Sequence, residues 1–135
     1  MLNRARWPGT VALRPMAAEF VHLHVHSELS MLDGAIRVKD LTKRIKALGQ
    51  RAVALTDHGR MHATLQLTGA CAAEGIGAIV GCEVNVVSGA HTDLTPRPHG
   101  HLVLLAESQE GYENLSRIVS LGWAEGLVDG TPRVD

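Results

Sequence analysis

The chain of 135 residues contains eight histidines but only one Phe, one Tyr and two Trp. Three of the histidines, His22, His24 and His26, alternate with apolar residues, and side chains two apart in a strand point to the same face. The spacing predicts a row of imidazoles along one side of a strand, and imidazole is a common metal ligand. Taken alone, the pattern fits a solvated surface pair as well as a ligand pair.

A second set of reactive side chains follows predicted strands further along the chain. Thr56-Asp57-His58-Gly59 places an acid and an imidazole directly after an apolar run, and Gly59 permits a sharp turn there. Glu83 follows a later apolar run, so an acid falls near the same rim, where α/β enzymes build their sites. Taken alone, the tetrapeptide also fits an ordinary loop with a capping aspartate. Together with the histidine row, these are the residue types that a zinc or manganese cluster requires.

Hydrophobic periodicity predicts the elements that position these side chains. Val38, Leu41 and Ile45 recur at helical spacing and predict an amphipathic helix, whereas the run before Asp57 is typical of a buried strand. The order of elements indicates an α/β fold with a mostly parallel sheet, and its four strands are half of the roughly eight that close a barrel. The predicted elements are strand 19–25, helix 38–48, strand 52–56, helix 61–74, strand 76–87, loop 88–100, strand 101–106 and helix 109–121.

Composition limits the classes of protein to which the chain can belong. With 13 basic and 14 acidic residues the net charge is −1, so the chain as a whole has no positive field that gathers DNA, and any DNA contact must be local. Cys71 and Cys82 lack the paired spacing of a disulfide framework or a zinc ribbon, which favours a reducing, cytoplasmic location. The apolar runs are too short for a membrane span. Residues 1–18 are interpreted as a disordered or wrongly assigned extension, with Met16 as another start and an organelle-type targeting segment as the less favoured alternative.

Short motifs in a fixed order resemble the PHP (polymerase and histidinol phosphatase) family, in the branch that opens the alpha subunits of bacterial DNA polymerase III. The resemblance extends from about residue 20 to about residue 127. The motifs that carry it are Phe20–Ser27, Ser30–Gly34, Ala54–Gly59, Val80–Val84, His101–Ala106 and Gly111–Leu115.

The resemblance implies the N-terminal portion of a distorted (β/α)7 barrel of the metal-dependent phosphoesterase type, with up to three divalent metal ions. In members that keep the site, such a domain hydrolyses phosphodiesters, including 3′ to 5′ exonuclease proofreading, with a metal-bound water as the nucleophile. By position, His22 and Asp57 would orient ligands through hydrogen bonds. His62, His91 and His99 are given no role. The implied metal ligands are His24, His26, Asp33, His58, Glu83 and His101.

The family's remaining ligands, including a late Asp-x-His motif, would lie beyond residue 135. The resemblance therefore implies that residues 19–135 form a truncated first half of the barrel, which is expected to bind metal weakly, to hydrolyse poorly and to aggregate or borrow a partner. DNA and other replicase subunits would be partners through the parent polymerase, and no membrane contact is expected.

Three functional classes stay open. The first is a fragment of a replicative DNA-directed DNA polymerase, which is a nucleotidyltransferase. The second is a separate phosphoesterase for small phosphate esters such as histidinol phosphate, and the third is a noncatalytic module that stabilises a polymerase. The Gly111–Leu115 stretch and the Leu32-Asp33-Gly34 turn resemble the polymerase branch more than the small phosphatases, which favours the first class.

Overall fold

The fold is given by a computed structural model that describes residues 20–135. Within that range three helices and five strands follow one another along the chain. The interpretation of residues 1–18, and the first residue of the predicted strand 19–25, lie outside the described residues. The elements are α1 (Val38–Ala47), β1 (Ala52–Leu55), α2 (Thr64–Glu74), β2 (Gly77–Val87), β3 (His99–Leu105), α3 (Gln109–Ala124), β4 (Leu127–Val128) and β5 (Thr131–Val134).

The three helices form where periodicity predicts them. On α1, the apolar positions at helical spacing, including Val38 and Ile45, are buried. A separate turn, closed by hydrogen bonds from Thr64 to the Met61 carbonyl, precedes α2, so this helix starts three residues later than predicted. α3 begins at a side-chain cap, since Ser108 Oγ accepts a hydrogen bond from the N–H of Gly111 over 3.1 Å.

β2 is the central strand of a five-stranded sheet. β1 runs parallel to its first half, β5 runs parallel to its second half at Asn85 and Val86, and β3 runs antiparallel to residues 81–87. The prediction of a mostly parallel sheet is therefore wrong, because two of the four strand pairings within residues 20–135, β2–β3 and β4–β5, are antiparallel. A parallel connection needs a long crossover, whereas the loop after β2 and the turn after β4 hold no helix and double back.

The segment that carries the first three histidines lies beside β1 without forming a regular strand. His22 bridges Val53 in the parallel sense, and the N–H groups of Ala54 and Thr56 donate to the carbonyls of His22 and Val25, each over 2.8 Å. The Val25 N–H bonds to the Thr56 hydroxyl at 3.1 Å instead of to a backbone carbonyl, which interrupts the ladder. The predicted first strand is thus an extended segment with a single bridge to β1.

β4 and β5 form a hairpin that the periodicity did not predict. Asp129 and Gly130 join the two strands with φ angles of 50° and 79°. Two central residues of positive φ are typical of the type I′ turn, whose twist matches antiparallel strands and whose preferred sequences include Asp-Gly. The dipeptide is therefore a usable sequence signal for strands that are too short to show a period.

Alternate side chains of β2 point to opposite sides of the sheet, and they separate the core from the site. Cys82 and Val84 pack with Leu115 of α3, whereas Glu83 and Asn85 point to the other side. No helix within residues 20–135 is long and apolar enough to span a bilayer. The larger core cluster joins α1 and α2 to β1 and comprises Val38, Leu41, Ile45, Val53, Leu55, Ala63, Leu67, Cys71 and Ile76.

Candidate metal centre

The carboxylate of Glu83 lies at the middle of a group of imidazoles. Its Oε2 is 2.6 Å from Nε2 of His24 and 2.7 Å from Nε2 of His26. Its Oε1 is 2.6 Å from Nδ1 of His101, because His101 lies on β3 opposite Asn85 and so faces the same side of the sheet as Glu83. Glu83 is only 4% exposed, so water does little to screen these contacts.

His24 and His26 reach Glu83 from the extended segment beside β1. Their Nε2 atoms lie 3.2 Å apart, so both rings approach the same carboxylate oxygen. The ring of His22 lies edge-on against Phe20, with 4.7 Å between centroids, and His22 belongs to neither group of ligand-type atoms found in the described part of the chain. Of the predicted row of imidazoles, His24 and His26 contact Glu83 and His22 does not.

His58 stands at the end of β1, where residue 58 forms a bridge to Glu83 of β2. Its Nε2 is 2.8 Å from Oδ1 of Asn85, whose Nδ2 donates to the Pro132 carbonyl over 3.0 Å. The Pro132 carbonyl can only accept, so it fixes which end of the Asn85 amide faces His58. His58 therefore donates to Asn85 through Nε2.

A tight turn brings Asp33 to the same place. The Asp33 carboxylate Oδ2 lies 3.2 Å from Nδ1 of His58, the ring nitrogen that does not face Asn85. The N–H groups of Asp33 and Gly34 both donate to the Ser30 carbonyl over 2.8 Å and close the turn. A Cβ at position 34 would lie 2.0 Å from the Ser27 carbonyl oxygen, so only glycine fits this approach.

Asp57 is buried and holds the backbone that follows His26. Its Oδ1 accepts from the N–H of Ser27 over 2.6 Å, and its Oδ2 accepts from the Ser27 hydroxyl over 2.8 Å. The contact joins the end of β1 to the histidine segment. Asp57 thus fixes the position of the backbone next to His26 and does not itself contact the imidazoles.

Residues 22–135 match the family model described as the PHP domain. The chain belongs to the PHP domain family. The DNA polymerase III subunit alpha of Treponema pallidum is 46% identical to it over 120 residues, which cover 86% of this chain and 10% of that subunit. The same subunit of Aquifex aeolicus is 36% identical over 129 residues, covering 89% of this chain and 11% of that subunit. The chain spans about a tenth of the length of these curated relatives.

Two solved structures share the fold of this PHP domain. An amidohydrolase from Chromobacterium violaceum, with bound sulfate and no metal, is 29% identical and has a TM-score of 0.52 over 73% of this chain and 32% of that chain. A protein described as a metal-dependent phosphoesterase from Bifidobacterium adolescentis is 21% identical and has a TM-score of 0.56 over 77% of this chain and 33% of that chain. The fold class predicted from sequence, an α/β fold of the phosphoesterase type, is confirmed.

The side chains of the PHP domain fit divalent metal ions. Imidazole nitrogens and carboxylate oxygens are suitable donors, and a ligand carboxylate must be ionised. Burial raises the pKa of Glu83, but hydrogen bonds with His24 and His26 outweigh it, so the pKa lies below its ordinary value. Two groups place one donor atom per residue within 4.8 Å of one another and share Glu83: His24, His26 and Glu83, and His58, Glu83 and His101.

The structure thus brings five of the six predicted ligand residues into these two groups, and the sixth, Asp33, contacts His58. Two neighbours of the centre were given no role by the sequence. Asn85 stands two residues after Glu83 on β2, a spacing that places it on the same face and could have identified it. His99 stacks on the ring of His101 at 5.7 Å, because both lie on one face of β3. His91 instead bonds to Asp135, away from the centre.

Proposed function

We propose that this PHP domain binds zinc or manganese at the Glu83 centre and takes part in phosphodiester hydrolysis. The observation that carries the proposal is the sharing of one buried carboxylate by two groups of imidazoles, which lie on several elements and converge on a single point. Divalent ions held by these residues would polarise a phosphoryl oxygen and lower the pKa of water, which is the chemistry that a 3′ to 5′ exonuclease requires.

The proposed ligands divide into two sets around Glu83. His24 and His26 contact one oxygen of the carboxylate, and His101 contacts the other. His58 belongs to the same group as His101 and has Asp33 next to it. Asn85 orients His58 by accepting a hydrogen bond from its Nε2. Asp57 fixes the backbone beside His26 through Ser27. A role for His22 in orienting a ligand stays a prediction.

The parent protein is proposed to be a DNA polymerase III alpha subunit. The similarity to such subunits supports this, as does the PHP family model over residues 22–135. DNA-directed DNA synthesis, contacts with DNA and other replicase subunits, and a cytoplasmic location would then be properties of that parent. Residues 19–135 would supply the first part of its PHP domain, with further ligands supplied from elsewhere in the parent.

Metal titration of the purified chain tests the centre directly. We expect weak binding of Zn²⁺ or Mn²⁺ by calorimetry and slow hydrolysis of bis(p-nitrophenyl) phosphate. Glu83→Gln keeps the size of the side chain but removes its charge, so both signals should fall to background. Glu110→Gln makes the same chemical change at an exposed carboxyl in the first turn of α3, outside both groups, and as the matched control it should leave both unchanged.

Four outcomes of these measurements would change the proposal. Metal binding that survives Glu83→Gln would overturn the centre. Metal binding without hydrolysis would favour the noncatalytic module that stabilises a polymerase. Stoichiometric metal with strong nuclease activity, abolished by His58→Ala, would contradict the expectation that ligands are missing from the chain. Efficient turnover of histidinol phosphate, with no cleavage of phosphodiesters, would favour a separate phosphatase for small esters.

A further inference from the structure

We propose that Arg60 and Trp123 form a subsite for the nucleotide next to the scissile phosphodiester, so that the centre takes single-stranded DNA ends rather than small phosphate esters. The inference rests on the proposed function, because it supplies a substrate to the same centre. The two residues lie 63 positions apart and come together only in the fold, where the guanidinium carbon of Arg60 sits 5.3 Å from the centroid of the Trp123 ring.

The Thr56–Gly59 loop fixes this pair relative to His58. The indole Nε1 of Trp123 donates to the Gly59 carbonyl over 2.7 Å, which ties α3 to the loop. Gly59 has a φ of +62°, and a Cβ there would lie 2.9 Å from Cγ of Pro132. Arg60 leaves this constrained turn two residues after His58. The position of the guanidinium is therefore coupled to that of the imidazole.

A cavity of about 240 Å³ lies between the pair and the metal centre. Asp33, His58 and Asn85 line one part of it, and Arg60 and Trp123 line another. Arg60 is the one Arg or Lys side chain among its lining residues, and it forms no ion pair with an acidic side chain within residues 20–135. A guanidinium stacked on an aromatic ring keeps its N–H edge available, and that edge matches the oxygens of a phosphate.

A second cavity, of about 520 Å³, lies against the same two side chains. Met61, Val119 and Trp123 give it an apolar and aromatic lining, and Ser116 adds a hydroxyl. Pockets for drug-sized ligands occupy roughly 300–1,000 Å³. The smaller cavity therefore suits a phosphate group, whereas the larger one can hold a base, and Arg60 borders both.

The combination of one cation and one aromatic ring favours single-stranded over double-stranded DNA. A base can stack on an aromatic side chain only when it has left a duplex, and such stacking tolerates any base. With a net charge of −1, the chain has no general attraction for DNA. A local contact of this kind would supply the attraction for DNA that the net charge does not. A small ester without a base would contact Arg60 but would leave the aromatic part of the subsite empty.

Fluorescence of Trp123 reports the contact independently of hydrolysis. The chain has two tryptophans, so Trp7→Phe in the full chain leaves Trp123 as the single tryptophan. This protein is titrated with the tetranucleotide of thymidylate, with its metal and again in EDTA. We expect saturable quenching in both. Arg60→Gln should weaken the affinity about tenfold, within the range for loss of a stacking or charged contact. Arg44→Gln on α1 is the matched control and should leave the affinity unchanged.

The titration separates this inference from the proposed function, because it needs no metal. Loss of hydrolysis with intact quenching would count against the metal centre alone. Equal affinity of Arg60→Gln, in protein whose circular dichroism and melting are normal, would overturn the subsite. Quenching that needs metal, equal quenching by inorganic phosphate, or equal binding of a blunt duplex would each overturn it as well.

Discussion

Glu83 and Asn85 lie two residues apart on β2, and they contact the imidazoles of the centre in different ways. Glu83 touches His24, His26 and His101 through its charged oxygens. Asn85 touches His58 through a neutral oxygen and is itself held by the backbone of β5. The carboxylate is therefore suited to bind an ion, and the amide is suited to hold a ring in one orientation.

Loss of the Asn85 amide should weaken both the fold and the centre. In Asn85→Ala, the Pro132 carbonyl and Nε2 of His58 lose their partners at a site that is 1% exposed. We expect the free energy of unfolding to fall by about 1–3 kcal/mol in a urea titration, and metal affinity to fall by about 10–100-fold. Gln66→Ala, at an exposed position on α2, should change neither quantity. Unaltered affinity in Asn85→Ala would show that His58 needs no such support.

The two thiols should be unreactive while the protein is folded. Burial raises the pKa of Cys71 to about 11 and that of Cys82 to about 12. Since only the thiolate reacts, Ellman's reagent at pH 8 should modify both slowly in native protein and rapidly in urea. Fast labelling of either cysteine in the native state would contradict their burial, and it would admit sulfur as a possible metal donor.

The residue types that meet at Glu83 stand out in the sequence, whereas several of the contacts that support them do not. Imidazole and carboxylate side chains after apolar runs are chemically distinctive, so His58 and Glu83 are visible in the sequence alone. Asn85 is an ordinary amide until β5 brings the Pro132 carbonyl to its Nδ2. Arg60 is an ordinary surface cation until α3 places an indole beside it. Both roles arise from contacts between residues far apart in the chain.

At the scale of elements, the turn after Ser30 is the most constrained connection near the centre. Gly34→Ala would bring a methyl group within 2.0 Å of the Ser27 carbonyl, so the turn and Asp33 would have to move. We expect a loss of about 1–3 kcal/mol in the free energy of unfolding, measured by urea denaturation, together with weaker metal binding.

Gly69→Ala provides the matched control for this substitution. Position 69 lies inside α2, and a Cβ there would meet nothing within 4 Å. Because alanine favours a helix over glycine, the variant should gain about 0.5–1 kcal/mol. A stable Gly34→Ala protein with unchanged metal affinity would show that the turn can relax without moving Asp33.

Elements with a clear period could be predicted, and those defined by long-range pairing could not. The helices beginning at Val38 and Gln109 agree with their patterns to within a few residues. The antiparallel course of β3 depends on what the loop after Val87 does, and the sequence pattern does not record direction. The first segment alternates as a strand does, but the Thr56 hydroxyl takes the place of a ladder partner.

At the scale of the whole molecule, β3 forms an exposed edge of the sheet. Within residues 20–135 it pairs with β2 alone, and it carries Leu102 and Leu105, which are 49% and 40% exposed. A strand with one unpaired edge and apolar side chains is a template for pairing with another chain. The curated relatives are about ten times longer than this chain.

The isolated chain should therefore associate as its concentration rises. Sedimentation velocity should show growing assemblies, and Leu102→Lys should reduce them because a charge on the strand opposes edge pairing. Leu65→Lys, at a leucine that is 84% exposed on α2, should leave association unchanged. A monomer at every concentration, with one sharp cooperative melt, would contradict the prediction. Equal loss of association in both variants would show that added positive charge, rather than the edge of β3, controls association.

The alternation of β2 has a consequence for how this protein can change by mutation. Cys82 and Val84 pack in the core, whereas Glu83 and Asn85 contact the imidazoles of the centre. Neighbouring positions of β2 are therefore constrained by different interactions. A substitution at one of these positions therefore affects either the packing of the core or the contacts of the centre. Insertion or deletion of a single codon would turn every later side chain to the opposite side, burying the carboxylate and exposing the thiol. The strand can therefore accept substitutions, but it cannot accept a change in length.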